Sequence, residues 1–186
     1  MARANWTAPT YLNFTGTDAL PLQQTFTSLK GYLRGLDNVI GCGLYKNTTQ
    51  SLTNATETTI TFGASDVEDF DTANFHSTTT NTSRITVPNG LGGVYTISGG
   101  ARFDANATGI RYCRILLNGA AVAFSVAPAV SATLGSGACV YTQVKLIPGD
   151  YIELSAYQTS TVALNVGAVG AVGKQTFLSV VYAGGY

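Results

Sequence analysis

The chain has 186 residues, 45% of them apolar, so it can bury one core of ordinary domain size. Lysine plus arginine equals aspartate plus glutamate at ten each, with no basic cluster, which excludes nucleic acid as the main partner because phosphate binding needs concentrated positive charge. No run approaches the ~20 apolar residues of a membrane helix, so no membrane insertion is expected.

Residues 1–43 are predicted to form an attachment segment. Trp6 lies in an irregular tail, where an aromatic side chain normally anchors the chain against a partner. An amphipathic helix is predicted over about residues 19–40, because apolar positions recur at spacings of four and three, as in a heptad seam. This helix either docks on a neighbouring surface or self-associates as a short stalk. The attachment candidates are Trp6, Leu22, Phe26, Leu29, Leu33 and Leu36.

Residues 44–57 are polar and rich in threonine and asparagine, which predicts a linker or an edge-strand excursion. Residues 58–186 then form an all-β head. Asn118-Gly119 is the strongest short hairpin signal in the chain, and Pro148-Gly149-Asp150 predicts a second turn. Short strands at regular spacing, with no helical interruption, are typical of a β-sandwich or jelly roll.

Two strands of the head carry the clearest patterns. Around residues 94–103, Tyr95, Ile97, Ala101 and Phe103 alternate with polar residues, as in a half-buried strand. The last strand, around residues 177–182, is instead apolar on both faces. Since a two-sheet sandwich offers a core to only one face of each sheet, the other face needs cover from outside, and oligomerisation is the simplest cover.

Catalytic chemistry is not expected. The single histidine, His76, lies in a loop rich in threonine, serine and asparagine, so it is a poor candidate for the base of a hydrolytic triad. No cofactor is expected. The acidic residues of the 66–71 stretch either stay solvated or form a weak calcium site through their oxygen atoms. These candidate ligands are Asp66, Glu68, Asp69 and Asp71.

The three cysteines are Cys42, Cys113 and Cys139. They are either free and mostly buried, or include a bridge between Cys113 and Cys139 if the strands that carry them are neighbours. No CxxC pair occurs, which argues against a zinc site.

Five segments in this order resemble the jelly-roll head of the complement C1q and tumour necrosis factor (TNF) superfamily. The segments are RITVP at 84–88, GVY at 93–95, RILLNG at 114–119, PGDYIEL at 148–154 and FLSVV at 177–181. The resemblance covers roughly residues 57–184 and implies a ten-stranded jelly roll that assembles as a tight homotrimer. It places the last strand at the threefold axis, with Tyr151, Tyr157, Phe177 and Val181 as interface candidates.

The N-terminus resembles that of many tailed-phage structural proteins, in which a Trp/Pro-containing tail and a short helix attach a trimeric head to the particle. The motif here is NWTAPT at residues 5–10. This resemblance implies a virion-surface protein, such as a capsid decoration, head fibre, spike or tail-tip protein. Capsid or tail proteins would bind the N-terminal segment, and the head would bind a host surface glycan. The alternative is a free-standing lectin-like or signalling trimer with an extracellular ligand.

Overall fold

The computed structural model describes residues 39–167 and 174–185. Contacts divide the chain into two compact units, Met1–Asn38 and Val39–Tyr186, and the second contains the described residues. The predicted helix, up to residue 38, and all six attachment candidates lie outside the described ranges.

Within those ranges, twelve strands form two sheets, which confirms the predicted all-β sandwich, although the resemblance implied ten strands. One sheet has seven strands. Six of them follow the order β2-β11-β6-β12-β1-β4, and the seventh, β9, also pairs with β6. The second has five strands, in the order β3-β10-β7-β8, with β5 also paired to β10. The strands are β1 Gly41–Tyr45, β2 Thr49–Leu52, β3 Thr58–Thr59, β4 Val67–Asp71, β5 Arg84–Thr86, β6 Gly93–Ala105, β7 Ile110–Leu117, β8 Ala120–Pro128, β9 Gly135–Leu146, β10 Tyr151–Gln158, β11 Leu164–Gly167 and β12 Phe177–Gly184.

The core lies between the two sheets and is built by alternation along each strand. In β6, Tyr95, Ile97, Ala101 and Phe103 are all buried, as the sequence predicts. The β7–β8 hairpin turns at Asn118-Gly119, and both residues have positive φ, 51° and 82°. Asparagine and glycine are the residues that a two-residue turn of this type favours.

The head begins earlier than the sequence indicates. Residues 44–57, predicted as a linker or an edge-strand excursion, include the end of β1 and all of β2. β2 is an edge strand of the seven-stranded sheet, whereas β1 is an interior strand between β12 and β4. Cys42 and Leu44 of β1 are buried in the core. The intervening Gly41 and Gly43 carry no side chain, so a five-residue strand gives little visible alternation in the sequence.

The acidic 66–71 stretch is also a strand for most of its length and not a loop. β4 pairs with β1 and forms one edge of the seven-stranded sheet. Charged side chains on an edge strand discourage pairing with other chains, which explains why an acidic sequence is tolerated here.

Asp66, just before β4, forms a buried ion pair with Lys46 at 2.9 Å, and the side chains are only 5% and 3% exposed. The carboxylate also accepts hydrogen bonds from the backbone of Asn47, Thr48 and Gly63. Burial alone would raise the pKa of Asp66, but hydrogen bonds from Lys46 and Thr48 outweigh that effect and lower this pKa. The pair thereby ties the β1–β2 connection to the start of β4.

Asp66→Asn should destabilise the fold by about 3 kcal/mol at neutral pH, because it leaves the Lys46 ammonium buried without its charge partner. Asp69→Asn is the matched control: its partner, Lys174, is exposed, so the loss should stay below about 1 kcal/mol. Urea unfolding measures both. The Asp66 contribution exists above the unfolded-state pKa of about 3.9 and should vanish as the pH falls through the lower folded-state pKa. Equal losses in the two variants would contradict this role.

Candidate assembly interface

The outer face of the seven-stranded sheet carries a row of in-register residues across five strands. Starting from β9, Tyr141 lies beside Ser98, Ser98 beside Ser179, Ser179 beside Gly43, and Gly43 beside Phe70. An aromatic side chain thus stands at each end, with three small residues between them. Tyr141 is 64% exposed, unusually high for a tyrosine on a sheet face.

The neighbouring row has the same character. Phe177 of β12 pairs with Gly100 of β6, and Gly100 pairs with Cys139 of β9. A Cβ atom at Gly100 would lie 2.8 Å from the Phe177 ring and 3.0 Å from the Cys139 sulfur, and one at Gly43 would lie 2.5 Å from the Phe70 ring. Both glycines therefore allow a phenylalanine ring to lie flat on the sheet.

These rings border a groove of about 320 Å³. Gly43 and Ser179 line it together with the rings of Phe70 and Phe177, and the ion pair of Lys174 with Asp69 also lines it. Val181, two residues beyond Ser179 on the same face of β12, is only partly buried. The apolar outer face predicted for the last strand is therefore present, and its centre is a shallow trough.

The four predicted interface residues do not share one surface. Phe177 and Val181 lie on the outer face of the seven-stranded sheet. Tyr151 and Tyr157 belong to β10 in the other sheet and alternate with the buried Ile152, Leu154 and Ala156, so they face outward on the opposite side of the sandwich.

Both tyrosines already have partners within the chain. Tyr157 stacks on Tyr112 with ring centroids 4.6 Å apart, and the Arg84 guanidinium lies 4.0 Å from the ring centroid of Tyr151. Tyr151 and Tyr157 thus face outward from the five-stranded sheet, whereas Phe177 and Val181 face outward from the seven-stranded sheet. Tyr141 of β9 and Tyr45 of β1, which pairs with Phe177, both share a face with Phe177 and Val181.

A second exposed apolar surface lies on β8, an edge strand of the five-stranded sheet. Val122, Phe124 and Val126 are 40%, 71% and 55% exposed, while Ala123 and Ala127 pack against the core. The usual size pattern is inverted here, because the small residues face inward and the large ones face solvent. That inversion is a sequence signal, visible once the partner strand fixes which alternate residues point inward.

The three thiols are free. Cys113 is buried and donates to the carbonyl oxygen of Ala138, whereas Cys139 is exposed on the outer face, so the two do not form the bridge that the sequence left open. Burial raises the pKa of Cys113 to about 12 and also raises the pKa of Cys42.

Each acidic calcium candidate has a protein partner. Asp66 binds Lys46, Glu68 binds His76, and Asp69 binds Lys174. Asp71 accepts backbone hydrogen bonds from residues 73, 75 and 76. In the part of the chain that the structure describes, no group of three or more His, Cys, Asp or Glu side chains is placed to hold a metal ion.

His76 is the sole histidine of the chain, and both of its ring nitrogens face acceptors. Nδ1 lies 3.1 Å from Glu68 Oε2 and Nε2 lies 3.3 Å from the carbonyl oxygen of Thr82. The ring therefore fastens its loop to β4.

Among the described residues, no helix has the length and apolar character needed to cross a membrane.

No family model matches the chain, and no curated protein matches it in sequence. Solved structures do match in fold. Murine APRIL at pH 5.0 superposes with a TM-score of 0.55 at 11% identity, covering 78% of this chain and 99% of APRIL. The Eiger TNF of S. frugiperda gives 0.53 at 11% identity, with 80% and 94% covered. The globular domain of zebrafish complement 1qA gives 0.51 at 12% identity, with 75% and 94% covered.

The chain has the TNF-like jelly-roll fold. These structures cover most of the sandwich, so the predicted fold is confirmed over nearly the whole described part. At 11–12% identity the likeness concerns architecture alone.

Alkylation of the folded protein with iodoacetamide should leave Cys42 and Cys113 unmodified, because both are buried and their raised pKa values keep them as thiols. Both should react fully after denaturation, and peptide mass spectrometry distinguishes the three sites. Cys139 is the exposed cysteine of the single chain, but it lies on the outer face of the seven-stranded sheet, so the denatured protein serves as the comparison for all three sites. Modification of Cys113 in the folded protein at the rate measured after denaturation would contradict the core described here.

Proposed function

We propose that the chain is a homotrimeric display head, held together through the outer face of its seven-stranded sheet. The observation that carries this proposal is the trough on that face, where small residues lie between exposed or half-exposed aromatic rings. A surface of this kind is costly to leave in water, and contiguous exposed apolar patches on soluble proteins commonly mark interaction sites.

The β8 edge supplies a complementary protrusion. Phe124, the most exposed of the large apolar residues described, projects with Val122 and Val126 from a different side of the sandwich. The edge of one copy can pack into the trough of the next, which makes a heterologous contact that closes into a ring when the rotation per copy is one third of a turn. The TNF-like fold supports this arrangement.

We further propose that the trimer is a structural protein on the virion surface of a tailed phage, as a capsid decoration, head fibre or spike. The phage-like N-terminal motif supports this role, with capsid or tail proteins as partners of the N-terminal segment. The described head would be the displayed part. Three heads on one axis would give avidity for a weakly bound host glycan.

The second candidate is a free-standing lectin-like or signalling trimer that binds an extracellular ligand. The specific observation in its favour is the fold likeness to APRIL and to Eiger TNF, which extends over almost the full length of those two structures. Both candidates share the same assembly. They differ in whether the N-terminal segment fastens the trimer to a particle.

Removal of residues 1–38 should abolish incorporation into phage particles while the remaining head stays assembled. The cut must precede β1, because a deletion through residue 43 would remove most of an interior strand. Quantitative mass spectrometry of purified particles measures incorporation of the full chain and of the truncated chain. Undiminished incorporation of the truncated chain would contradict the attachment role, and absence of the full chain from particles would favour the free-standing trimer.

A further inference from the structure

A second cavity of about 260 Å³ lies between the 74–81 loop and β5. It is separate from the assembly trough and lies near the five-stranded sheet, to which β5 belongs. Its polar lining comes from loop side chains and from two residues of β5. These are Asn74, His76, Ser77, Thr80, Asn81, Arg84 and Thr86.

The loop that forms this cavity is held firmly. Asp71 accepts hydrogen bonds from the backbone of Phe75 and His76, and the His76 ring binds Glu68 and Thr82. Phe75 is buried and makes an edge-to-face contact with Tyr95 at 6.2 Å. A pocket whose walls are already ordered loses little conformational entropy when a ligand binds.

Two lining residues adopt backbone conformations that are uncommon outside glycine. Asn74 has φ 60° and Asn81 has φ 51°. Glycine would adopt both conformations without strain, and asparagine is the side chain that tolerates them best. Because both residues are asparagine, the cavity has two side-chain amide groups that glycine would lack.

Several polar groups of the lining are available to a ligand. Within the described ranges, the side-chain amides of Asn74 and Asn81 and the hydroxyl group of Thr80 have no protein hydrogen-bond partner. Arg84 uses Nε to bind Glu153, so its terminal nitrogens are also available. An amide both donates and accepts, which suits a ligand hydroxyl group that does the same.

The arginine of the lining already has a charge partner, because Arg84 pairs with Glu153 at 3.2 Å. The His76 ring is occupied as well, since its Nδ1 lies 3.1 Å from Glu68 Oε2. An isolated anion or cation would have to compete with these partners, whereas a neutral ligand rich in hydroxyl groups would not. At ~30 Å³ per water molecule, the volume holds about nine waters, which is room for one sugar ring.

We propose that this cavity binds one neutral saccharide unit, with Asn74 and Asn81 as its main hydrogen-bonding residues. The proposal rests on the display function above, for which it supplies the ligand site: three such cavities would be presented by each trimer.

Saturation-transfer NMR on the full chain tests this with five neutral probes: glucose, galactose, mannose, N-acetylglucosamine and fucose. At least one should bind at millimolar concentration. Asn74→Gly with Asn81→Gly should weaken its binding by about tenfold or more, because both amides are lost while the backbone conformation is retained. Thr80→Ala, which leaves the backbone unchanged, should weaken it severalfold. Asn89→Gly removes an exposed amide outside the cavity and should leave binding within about twofold.

Absence of binding by all five probes would overturn the proposal. So would binding that the double variant and Thr80→Ala leave unchanged, since the sugar would then lie elsewhere. The measurement is made per chain and does not depend on assembly. A trimer that binds no sugar would refute this inference and leave the proposed assembly intact. A monomer that binds sugar would support this inference and refute the proposed assembly.

Discussion

The position of β12 is the constraint on which the rest of this structure depends. The strand lies between β1 and β6 and is hydrogen-bonded to both, so its position in the sheet is fixed. Leu178 and Val180 are completely buried in the core. Phe177 and Val181 are then fixed on the opposite face by the strand period of two. Burial of Leu178 and Val180 in the core therefore places Phe177 and Val181 on the outer face of the sheet, which makes that face apolar.

The glycines beside β12 connect folding with assembly. Gly43 and Gly100 have no Cβ atom, and any side chain there would meet the rings of Phe70 and Phe177. The rings can lie flat, and the face between them remains hollow. Larger residues at these positions would fill the trough or displace the rings. A partner surface must then be convex and apolar, which is what the exposed side chains of β8 offer.

The proposed display role uses two surfaces of different chemistry. The assembly face is apolar at its centre, while the 74–81 cavity is lined by amide, hydroxyl and paired charged groups. The proposed assembly face and the proposed saccharide cavity can coexist because they use different elements, β12 with its neighbours and β5 with its preceding loop. Few charges are needed for either, in keeping with a chain that has only 11% charged residues.

Local sequence patterns predicted the features of the fold that depend only on residues close together in the sequence. The alternation through Tyr95, Ile97 and Phe103 and the turn at Asn118-Gly119 were both correct, because period and turn chemistry are local. β1 was missed because its glycines hide the alternation. Tyr151 and Tyr157 lie on a different sheet from Phe177 and Val181, which the sequence could not reveal, because a strand pattern shows which residues face outward but does not show to which sheet the strand belongs. That information lies in long-range pairing, as does the solvent-facing position of Phe124.

The most direct test is the solution mass of the full chain by light scattering, with Ser179→Glu and Thr53→Glu as variants. Ser179 lies in the middle of the trough, so a carboxylate there would be buried at the interface without a partner, whereas Thr53 is exposed in the loop after β2. If the outer face of the seven-stranded sheet holds a trimer together, the mass should be three times the 19.4 kDa of one chain for the wild-type chain and for Thr53→Glu, and that of a single chain for Ser179→Glu. A monomeric wild-type chain, or a Ser179→Glu variant that remains a trimer, would contradict this mode of assembly.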